Sequence, residues 1–319
     1  MIPSLIDMQK GLVLRSTGLW YDVVSEDNKR YKARLRGKIR LQNLKVTNPI
    51  AVGDWVFFEE ETATDTSQIP IASIFDIEKR QNYIIRRAPK KNVHGHIIAA
   101  NLDQAALVIT LAMPRTSSGF IDRFLVSCET FRIPALLIFN KTDLLSPEEV
   151  QIQDKIREKY EQIGYPTLAV SATEDPSLQA LEAAIQGKTT LFSGHSGVGK
   201  STLLNRLAPH LNLRTQEISD FSEKGMHTTT FAEMFEFQPH TYLIDTPGIK
   251  ELGLIEIGED ELSHYFPEMR ELIGACKFHN CRHLHEPKCA VRQAVEEGKI
   301  AKSRYNSYLS MVENDDNRR

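Results

Sequence analysis

Long apolar runs and a strong excess of charge of either sign are both lacking from this sequence. No stretch approaches the roughly 18 consecutive apolar residues that a membrane-spanning helix needs. The opening MIPSLIDMQKG also lacks the apolar core of a secretory signal, so we expect a cytoplasmic protein with no membrane partner. The 319 residues are 41% hydrophobic and 25% charged. That composition excludes a largely disordered or fibrous chain and suits about two domains, or two and a small module.

The small net charge of −3 conceals a gradient along the chain. Residues 1–100 carry a net charge of +5 and the remainder carries −8. The segment from Lys29 to Lys45 holds eight basic residues and no acidic one. Five of them occupy every second position, which places them on one face of a strand: Lys32, Arg34, Arg36, Lys38 and Arg40. This face is predicted to bind RNA phosphates; the alternative is a solvated edge strand whose charges prevent aggregation.

The chain divides into three predicted parts: residues 1–90, 91–250 and 251–319. In the first, short strand-like runs at 11–14, 20–24, 52–58 and 69–77 predict a small β-barrel, either an OB-fold or an SH3-like barrel. In the second, strands alternate with helices, which predicts an α/β fold with a doubly wound, mostly parallel sheet. The strands are 105–111, 135–139, 167–170, 189–192, 231–235 and 242–244; the helices are 121–131, 148–163, 178–185 and 200–207. The third part is rich in Cys and His and ends in helices at 291–298 and 305–312.

A phosphate-binding loop is predicted where residues 194–201 read GHSGVGKS, directly after an apolar strand. The pattern G-x-x-x-x-G-K-[ST] lets successive backbone N–H groups surround phosphate oxygens at a helix N-terminus. Lys200 would reach the β- and γ-phosphates and Ser201 would ligate Mg²⁺. The predicted nucleotide contacts here are Gly194, His195, Ser196, Gly197, Val198, Gly199, Lys200, Ser201 and Thr202.

A guanine-recognition motif is predicted at Asn140, Lys141, Thr142 and Asp143, which follow the strand ALLIF. The Asp143 carboxylate can accept hydrogen bonds from N1–H and the exocyclic amine of guanine, and adenine offers neither donor on that edge. Asn140 would support the loop and the Lys141 stem would lie over the base. Ser171 and Ala172 follow the next strand, where GTPases contact the guanine oxygen. The alternative for NKTD is an Asn/Asp-rich turn.

A third motif, DTPG at 245–248, follows another apolar strand. Asp245 would hold Mg²⁺ through water and the Gly248 N–H would sense the γ-phosphate. Upstream, HTTT at 227–230 supplies Thr228 and Thr229, which would close over Mg²⁺. The residue after Gly248 is Ile249, whose aliphatic side chain cannot orient the hydrolytic water. We therefore expect His227, or a group supplied by a binding partner, to do so.

The order of these motifs departs from that of ordinary GTPases, in which the P-loop comes first and NKxD and SA come last. Here NKTD and SA precede the P-loop, and DTPG ends the core. Every strand–loop–helix unit is retained, so the sequence predicts a circular permutation. Because DTPG then leads directly into the third part, nucleotide state is expected to move or order that part.

Only 4 cysteines are present, and three of them lie in residues 276–289, CKFHNCRHLHEPKC. The spacing C-x4-C-x-H-x5-C predicts one structural Zn²⁺ held by Cys276, Cys281, His283 and Cys289. His279 and His285 remain alternatives to His283, and free cytosolic thiols are the alternative to a metal site. Cys128 is expected to be a buried packing residue.

The barrel, the order NKTD–SA–GHSGVGKS–HTTT–DTPG and the C-x4-C-x-H-x5-C segment together resemble the ribosome small-subunit-dependent GTPases, the RsgA (YjeQ/YloQ) family. The resemblance covers nearly the whole chain. It implies a GTPase that acts late in small-subunit maturation, binds small-subunit rRNA and is stimulated by that subunit. We expect a monomer that binds GTP and GDP with Mg²⁺. The competing hypotheses are a small-molecule kinase, against which NKTD counts, and a non-catalytic RNA-binding scaffold.

Overall fold

The barrel predicted near the N-terminus is formed by five strands. The computed structural model describes residues 8–36, 48–61, 69–86, 95–112, 114–173, 175–209, 232–245, 257–258 and 260–313. The strands are β1 (Gln9–Ser16), β2 (Tyr21–Ser25), β3 (Arg30–Leu35), β4 (Trp55–Glu60) and β5 (Ile71–Ile77). They pair in the order β1-β2-β3-β5-β4 and close through β1–β4, with β3 and β5 parallel. This closed five-strand arrangement confirms the OB-like prediction.

A β-hairpin that the sequence did not predict follows the barrel. Its strands are β6 (Tyr83–Arg86) and β7 (His96–Ala100), paired antiparallel. Asn48 fixes β7 to the barrel by accepting from the N–H of Ile97 and donating to its carbonyl, both at 2.8 Å. A buried pair, Arg80 and Asp54, joined by two hydrogen bonds of 2.6 Å, reinforces the same junction. The hairpin therefore connects the barrel to the rest of the chain through a packed joint.

The central α/β body confirms the doubly wound prediction. Its strands are β8 (Gln104–Ile109), β9 (Ala135–Phe139), β10 (Thr167–Ala169), β11 (Thr189–Ser193), β12 (Glu233–Gln238) and β13 (Thr241–Asp245). Their order is β10-β9-β8-β11-β13-β12, parallel except for β12, which also pairs with β1 of the barrel. The helices are α1 (Ser118–Phe131), α2 (Pro147–Ile163), α3 (Asp175–Ile185) and α4 (Lys200–Leu207).

Alternation along the central strands builds two cores, one on each face of this sheet. Leu107 faces α1 and α2, and Val108 faces α3 and α4. Because the strands are parallel, their carboxyl ends meet along one edge of the sheet, which is where proteins of this fold bind ligands.

A small helical module follows the sheet and packs on α1. It contains α5 (Pro267–Arg270), α6 (Ala290–Glu296), α7 (Lys302–Val312) and two short 3₁₀ turns. Val126 of α1 enters its core beside Phe266 and Tyr308. No described helix is long and apolar enough to cross a bilayer.

Candidate nucleotide and metal sites

The predicted phosphate-binding loop joins β11 to α4, as its motif requires. Gly197 and Gly199 adopt left-handed φ angles of +83° and +88°. A Cβ on Gly199 would lie 2.5 Å from the side-chain nitrogen of Asn140. Glycine is therefore needed at this position for the loop to meet the NKTD segment.

The NKTD segment lies directly on the phosphate-binding loop. The Asn140 amide donates to the carbonyl of Val198 at 2.8 Å, and the Lys141 ammonium donates to the carbonyl of Gly197 at 2.7 Å. The two segments are separated by more than 50 residues in the chain and are brought together by the parallel order of β9, β8 and β11. Base and phosphate recognition would thus be held in one rigid arrangement.

Asp143 is oriented by the serine of the SA dipeptide. The buried Ser171 hydroxyl donates to an Asp143 carboxylate oxygen at 2.7 Å, while Asp143 itself is exposed at the mouth of the site. The N–H of Thr142 donates to the carbonyl of Val170 at 3.3 Å, and Arg206 donates to the carbonyl of Ala172 at 3.0 Å. The predicted base-binding residues are therefore adjacent and mutually supported.

Lys200 and Asp245 form an ion pair at the edge of the sheet. Their strands, β11 and β13, are parallel neighbours, and Phe192 is in register with Asp245. The lysine predicted to bind phosphate and the carboxylate predicted to hold Mg²⁺ thus lie side by side. The other predicted switch residues, His227, Thr228, Thr229 and Gly248, lie outside the described residues.

One contact at the phosphate-binding loop was not predicted from sequence. The ring of Phe120, near the start of α1, lies 3.7 Å from the His195 ring, centroid to centroid, at an interplanar angle of 31°. Phe120 lies one residue before the predicted helix 121–131, so the sequence prediction did not include it. Its contact across the sheet could have been inferred only from the parallel adjacency of β8 and β11.

The four predicted zinc ligands converge in the C-terminal module. The ligand atoms of Cys276, Cys281, His283 and Cys289 all lie within 4.8 Å of one another. His283 Nδ1 is 3.3 Å from Cys289 Sγ and 3.6 Å from Cys276 Sγ, and those two sulfurs are 4.0 Å apart. A tetrahedral Zn²⁺ with ordinary bond lengths requires N···S near about 3.5 Å and S···S near about 3.8 Å. These three distances are close to those of a tetrahedral zinc site, and separations of up to 4.8 Å in the rest of the set would have to close by up to about 1 Å.

Burial disfavours the charged forms of Cys281 and His283. It raises the pKa of the Cys281 thiol to about 12 and lowers the pKa of the His283 imidazole. A divalent cation would supply the positive charge that stabilises buried thiolates. His279 and His285 are exposed and lie outside the converging set.

The loop that carries the four donors is tied to α7 and to its own backbone. The hydroxyls of Tyr305 and Tyr308 donate to the carbonyls of His283 and Arg282 at 2.6 and 2.5 Å. The Glu286 carboxylate accepts three backbone N–H groups, from residues 282, 284 and 285. Burial opposes ionisation of Glu286, but these donors outweigh it and lower its pKa. The loop is therefore preorganised around its ligands.

The basic face predicted on β3 is partly neutralised by neighbouring strands. Lys32 and Arg34 project outward as expected, but Lys32 pairs with Asp22 at 2.5 Å. Arg34 donates two hydrogen bonds to Glu61, at 2.9 and 3.2 Å. Arg36 lies over the ring of Phe75 at 5.6 Å. The sequence of the basic segment contains no acidic residue and could not show these partners, because Asp22 lies on β2 and Glu61 directly follows β4. Lys38 and Arg40 lie outside the described residues.

Comparison with known proteins agrees with this geometry. The family model described as "RsgA GTPase" matches residues 77–255, and that described as "RsgA N-terminal domain" matches residues 10–67. The small ribosomal subunit biogenesis GTPase RsgA of Cytophaga hutchinsonii is 52% identical over 95% of this chain and 97% of its own. RsgA 2 of Bacteroides thetaiotaomicron is 48% identical over 95% and 96%.

Solved structures match the whole arrangement of elements. YjeQ from Thermotoga maritima superposes with a TM-score of 0.76 at 34% identity, covering 98% of this chain and all of that one. YloQ, described as a circularly permuted GTPase, superposes with a TM-score of 0.72 at 28% identity, covering 98% and 96%. With motif order, site geometry and sequence relatives in agreement, the chain belongs to the RsgA GTPase family.

Proposed function

We propose that this protein hydrolyses GTP during late maturation of the small ribosomal subunit, binding its rRNA and being stimulated by it. The observation that carries the chemistry is the contact of Asn140 and Lys141 with the phosphate-binding loop, with Asp143 held by Ser171. That arrangement combines guanine selection with triphosphate binding. The relatives named small ribosomal subunit biogenesis GTPases support the choice of partner.

Within this proposal the P-loop binds the phosphates, and Asp245 at the end of β13 would help to hold Mg²⁺. Lys200 would exchange Asp245 for the β- and γ-phosphates, which would leave that carboxylate available to hold Mg²⁺ through water, together with Ser201. The Mg²⁺ would neutralise phosphate charge. Thr228, Thr229 and the Gly248 N–H are proposed to complete the site when the γ-phosphate is present. His227, or a group of the ribosomal subunit, orients the water.

The C-terminal cluster is proposed to hold one structural Zn²⁺. Four protein donors leave no open coordination position, so the ion would stabilise the fold and take no part in hydrolysis. The boundaries 1–90, 91–250 and 251–319 are proposed for the barrel, the GTPase body and the zinc module. The protein is proposed to act as a cytoplasmic monomer.

Replacing His283 tests the ligand set. His283→Ala is expected to weaken zinc affinity at least tenfold, because a tetrahedral site loses one of four donors. His285→Ala, which removes an exposed imidazole two positions away, should leave the affinity unchanged. The measurement is competition for zinc with a chromogenic chelator. Equal losses in both variants would contradict the assignment.

Charge removal on β3 tests the RNA surface. Lys32→Ala with Arg34→Ala is expected to weaken small-subunit rRNA binding and to reduce the slope of log K against log salt by about 1 for each phosphate that the variant no longer neutralises. Both residues are already ion-paired, so their effect should fall below that of two unpaired cations. Lys155→Ala, at an exposed position on α2, is the matched control. An unchanged slope in the double variant would exclude this face.

Hydrolysis of GTP and ATP, each with and without purified small ribosomal subunits, tests the function as a whole. We expect GTP hydrolysis that the subunit accelerates. A preference for ATP would favour the kinase hypothesis. GTP binding without stimulated turnover would favour the scaffold hypothesis.

A further inference from the structure

Helix α1 touches the phosphate-binding loop at its N-terminal end. The Phe120 ring contacts the tilted ring of His195, and the loop that precedes the helix is fixed by two hydrogen bonds between Thr110 and Thr116, at 2.9 and 3.3 Å. Ser117 caps the helix by accepting from the N–H of Phe120. The position of the Phe120 ring is therefore tied to the axis of the helix.

The same helix is bound to the zinc module along its length. Asp122, two residues after Phe120, accepts from the fully buried Arg304 of α7 at 2.7 Å. Val126 lies in the module's core, and Glu129 accepts from Arg270 of α5 at 3.0 Å. These contacts recur at one-turn intervals, so they lie on one face of α1.

From α7 the contacts continue to the metal ligands. Arg304 is followed by Tyr305 and Tyr308, whose hydroxyls bind the backbone of the loop that contains His283. A continuous chain of packed side chains thus runs from the cysteine cluster through α7 and α1 to the phosphate-binding loop. None of the contacts named above involves residues 249–256, which join DTPG to this module in the sequence.

We propose that α1 couples nucleotide binding to the stability of the zinc module, with Phe120 as the positioning residue at the nucleotide end. A 14-residue helix capped at both ends moves as a body, so a shift of the phosphate-binding loop is passed to Asp122 and Arg304. This inference rests on the proposed binding of guanine nucleotide and zinc. A link through Gly248 would need the γ-phosphate, whereas the route through α1 needs only a nucleotide bound to the phosphate-binding loop.

Linkage makes the coupling reciprocal: GDP must tighten zinc binding by the same factor by which zinc tightens GDP binding. Couplings between sites are typically about five-fold or more. We therefore expect saturating Mg²⁺–GDP to raise the zinc affinity of the full-length protein at least about five-fold. GDP is the appropriate probe because it lacks the γ-phosphate, which leaves the contact proposed for Gly248 unused.

The experiment measures zinc affinity by chelator competition, with and without Mg²⁺–GDP, and GDP affinity by fluorescence of a labelled analogue. Two ratios measure the coupling: the zinc affinity with GDP over that without it, and the GDP affinity with zinc over that without it. Phe120→Ala and the milder Phe120→Leu should reduce both ratios toward 1, while each site still binds its own ligand. Ile152→Ala, at an exposed position on α2, should retain the full coupling. Hydrogen exchange of α7 with and without GDP provides a readout independent of chelation.

The outcomes separate this inference from the proposed function. GDP binding with no change in zinc affinity or α7 exchange would overturn the coupling alone. Full coupling in Phe120→Ala would overturn the route through α1. Failure of GDP to bind at all would overturn the proposed function, and the coupling with it.

Discussion

Asp143→Asn is expected to convert a guanine site into a xanthine site. The carboxylate of Asp143 can accept from two N–H donors of guanine, and an amide would set its own NH₂ against the exocyclic amine. Each hydrogen bond to a charged group contributes about 1.5–3 kcal/mol. Loss of both therefore predicts a fall in GTP affinity of about 100-fold to 10,000-fold. Xanthine has a carbonyl in place of the amine, so it should bind the variant better than guanine does.

Ser171→Ala provides the matched control for that substitution. The Ser171 hydroxyl donates to Asp143 at 2.7 Å and orients the carboxylate without offering a group to the base edge. Its removal should lower GTP affinity by about tenfold, with the preference for guanine over xanthine unchanged. Competition binding of guanine and xanthine nucleotides to the wild type, Asp143→Asn and Ser171→Ala measures both effects. A guanine preference retained by Asp143→Asn would exclude Asp143 as the base-reading residue.

The sequence predicted the α/β body well because its signals are local. Strands β8, β9 and β11 are almost wholly buried in the sheet, and NKTD and the phosphate-binding loop directly follow β9 and β11. Once the strands are parallel, the loops must meet at one edge. The contact of Asn140 with the phosphate-binding loop therefore follows from motif order and sheet topology together.

The elements that sequence did not predict depend on distant partners. Hairpin strand β6 has only four residues, and its pairing with β7 gains stability from Asn48 in the barrel. The charges of Lys32 and Arg34 are compensated by Asp22 on β2 and by Glu61, which directly follows β4. Neither the pairing of β6 with β7 nor the identity of these acidic partners can be read from the local sequence of the segment concerned.

Arg304 is the largest such omission. In the sequence it is one basic residue in the polar helix KSRYNSYLSMV, yet its side chain is fully buried. A signal was present: Arg304, Tyr308 and Met311 share one face at helical spacing, and the other two are buried core residues. The partners themselves, Asp122 and Glu268, could not have been identified because they lie 182 and 36 residues away.

Arg304 is held in a network of charge and hydrogen bonds between α7, α5 and α1. It donates to Asp122 at 2.7 Å and to both oxygens of Glu268 at 2.7 and 3.2 Å. Tyr160 of α2 donates to the same Asp122 oxygen at 2.8 Å. Burial alone would lower the pKa of Arg304, but the two carboxylates raise it, so the guanidinium stays charged. Removing it would leave Asp122 buried without its counter-charge.

Arg304→Met is therefore expected to destabilise the attachment of the zinc module by about 3–5 kcal/mol, the usual result of removing one partner of a buried ion pair. Hydrogen exchange of the α7 amides measures this as a loss of protection against local opening. Lys302→Met, on the same helix but exposed, should change protection by less than about 0.5 kcal/mol.

A triple variant that removes all three charges of the network distinguishes the effect of lost charge balance from the effect of lost packing. Arg304→Met combined with Asp122→Asn and Glu268→Gln removes the stranded carboxylates and keeps an acceptor for Tyr160, so most of the protection should return. If the triple variant is as unstable as Arg304→Met alone, the network acts through shape rather than charge. If Arg304→Met resembles Lys302→Met, the buried ion pair does not hold the module to α1, and the route from the metal cluster to the phosphate-binding loop loses its central link.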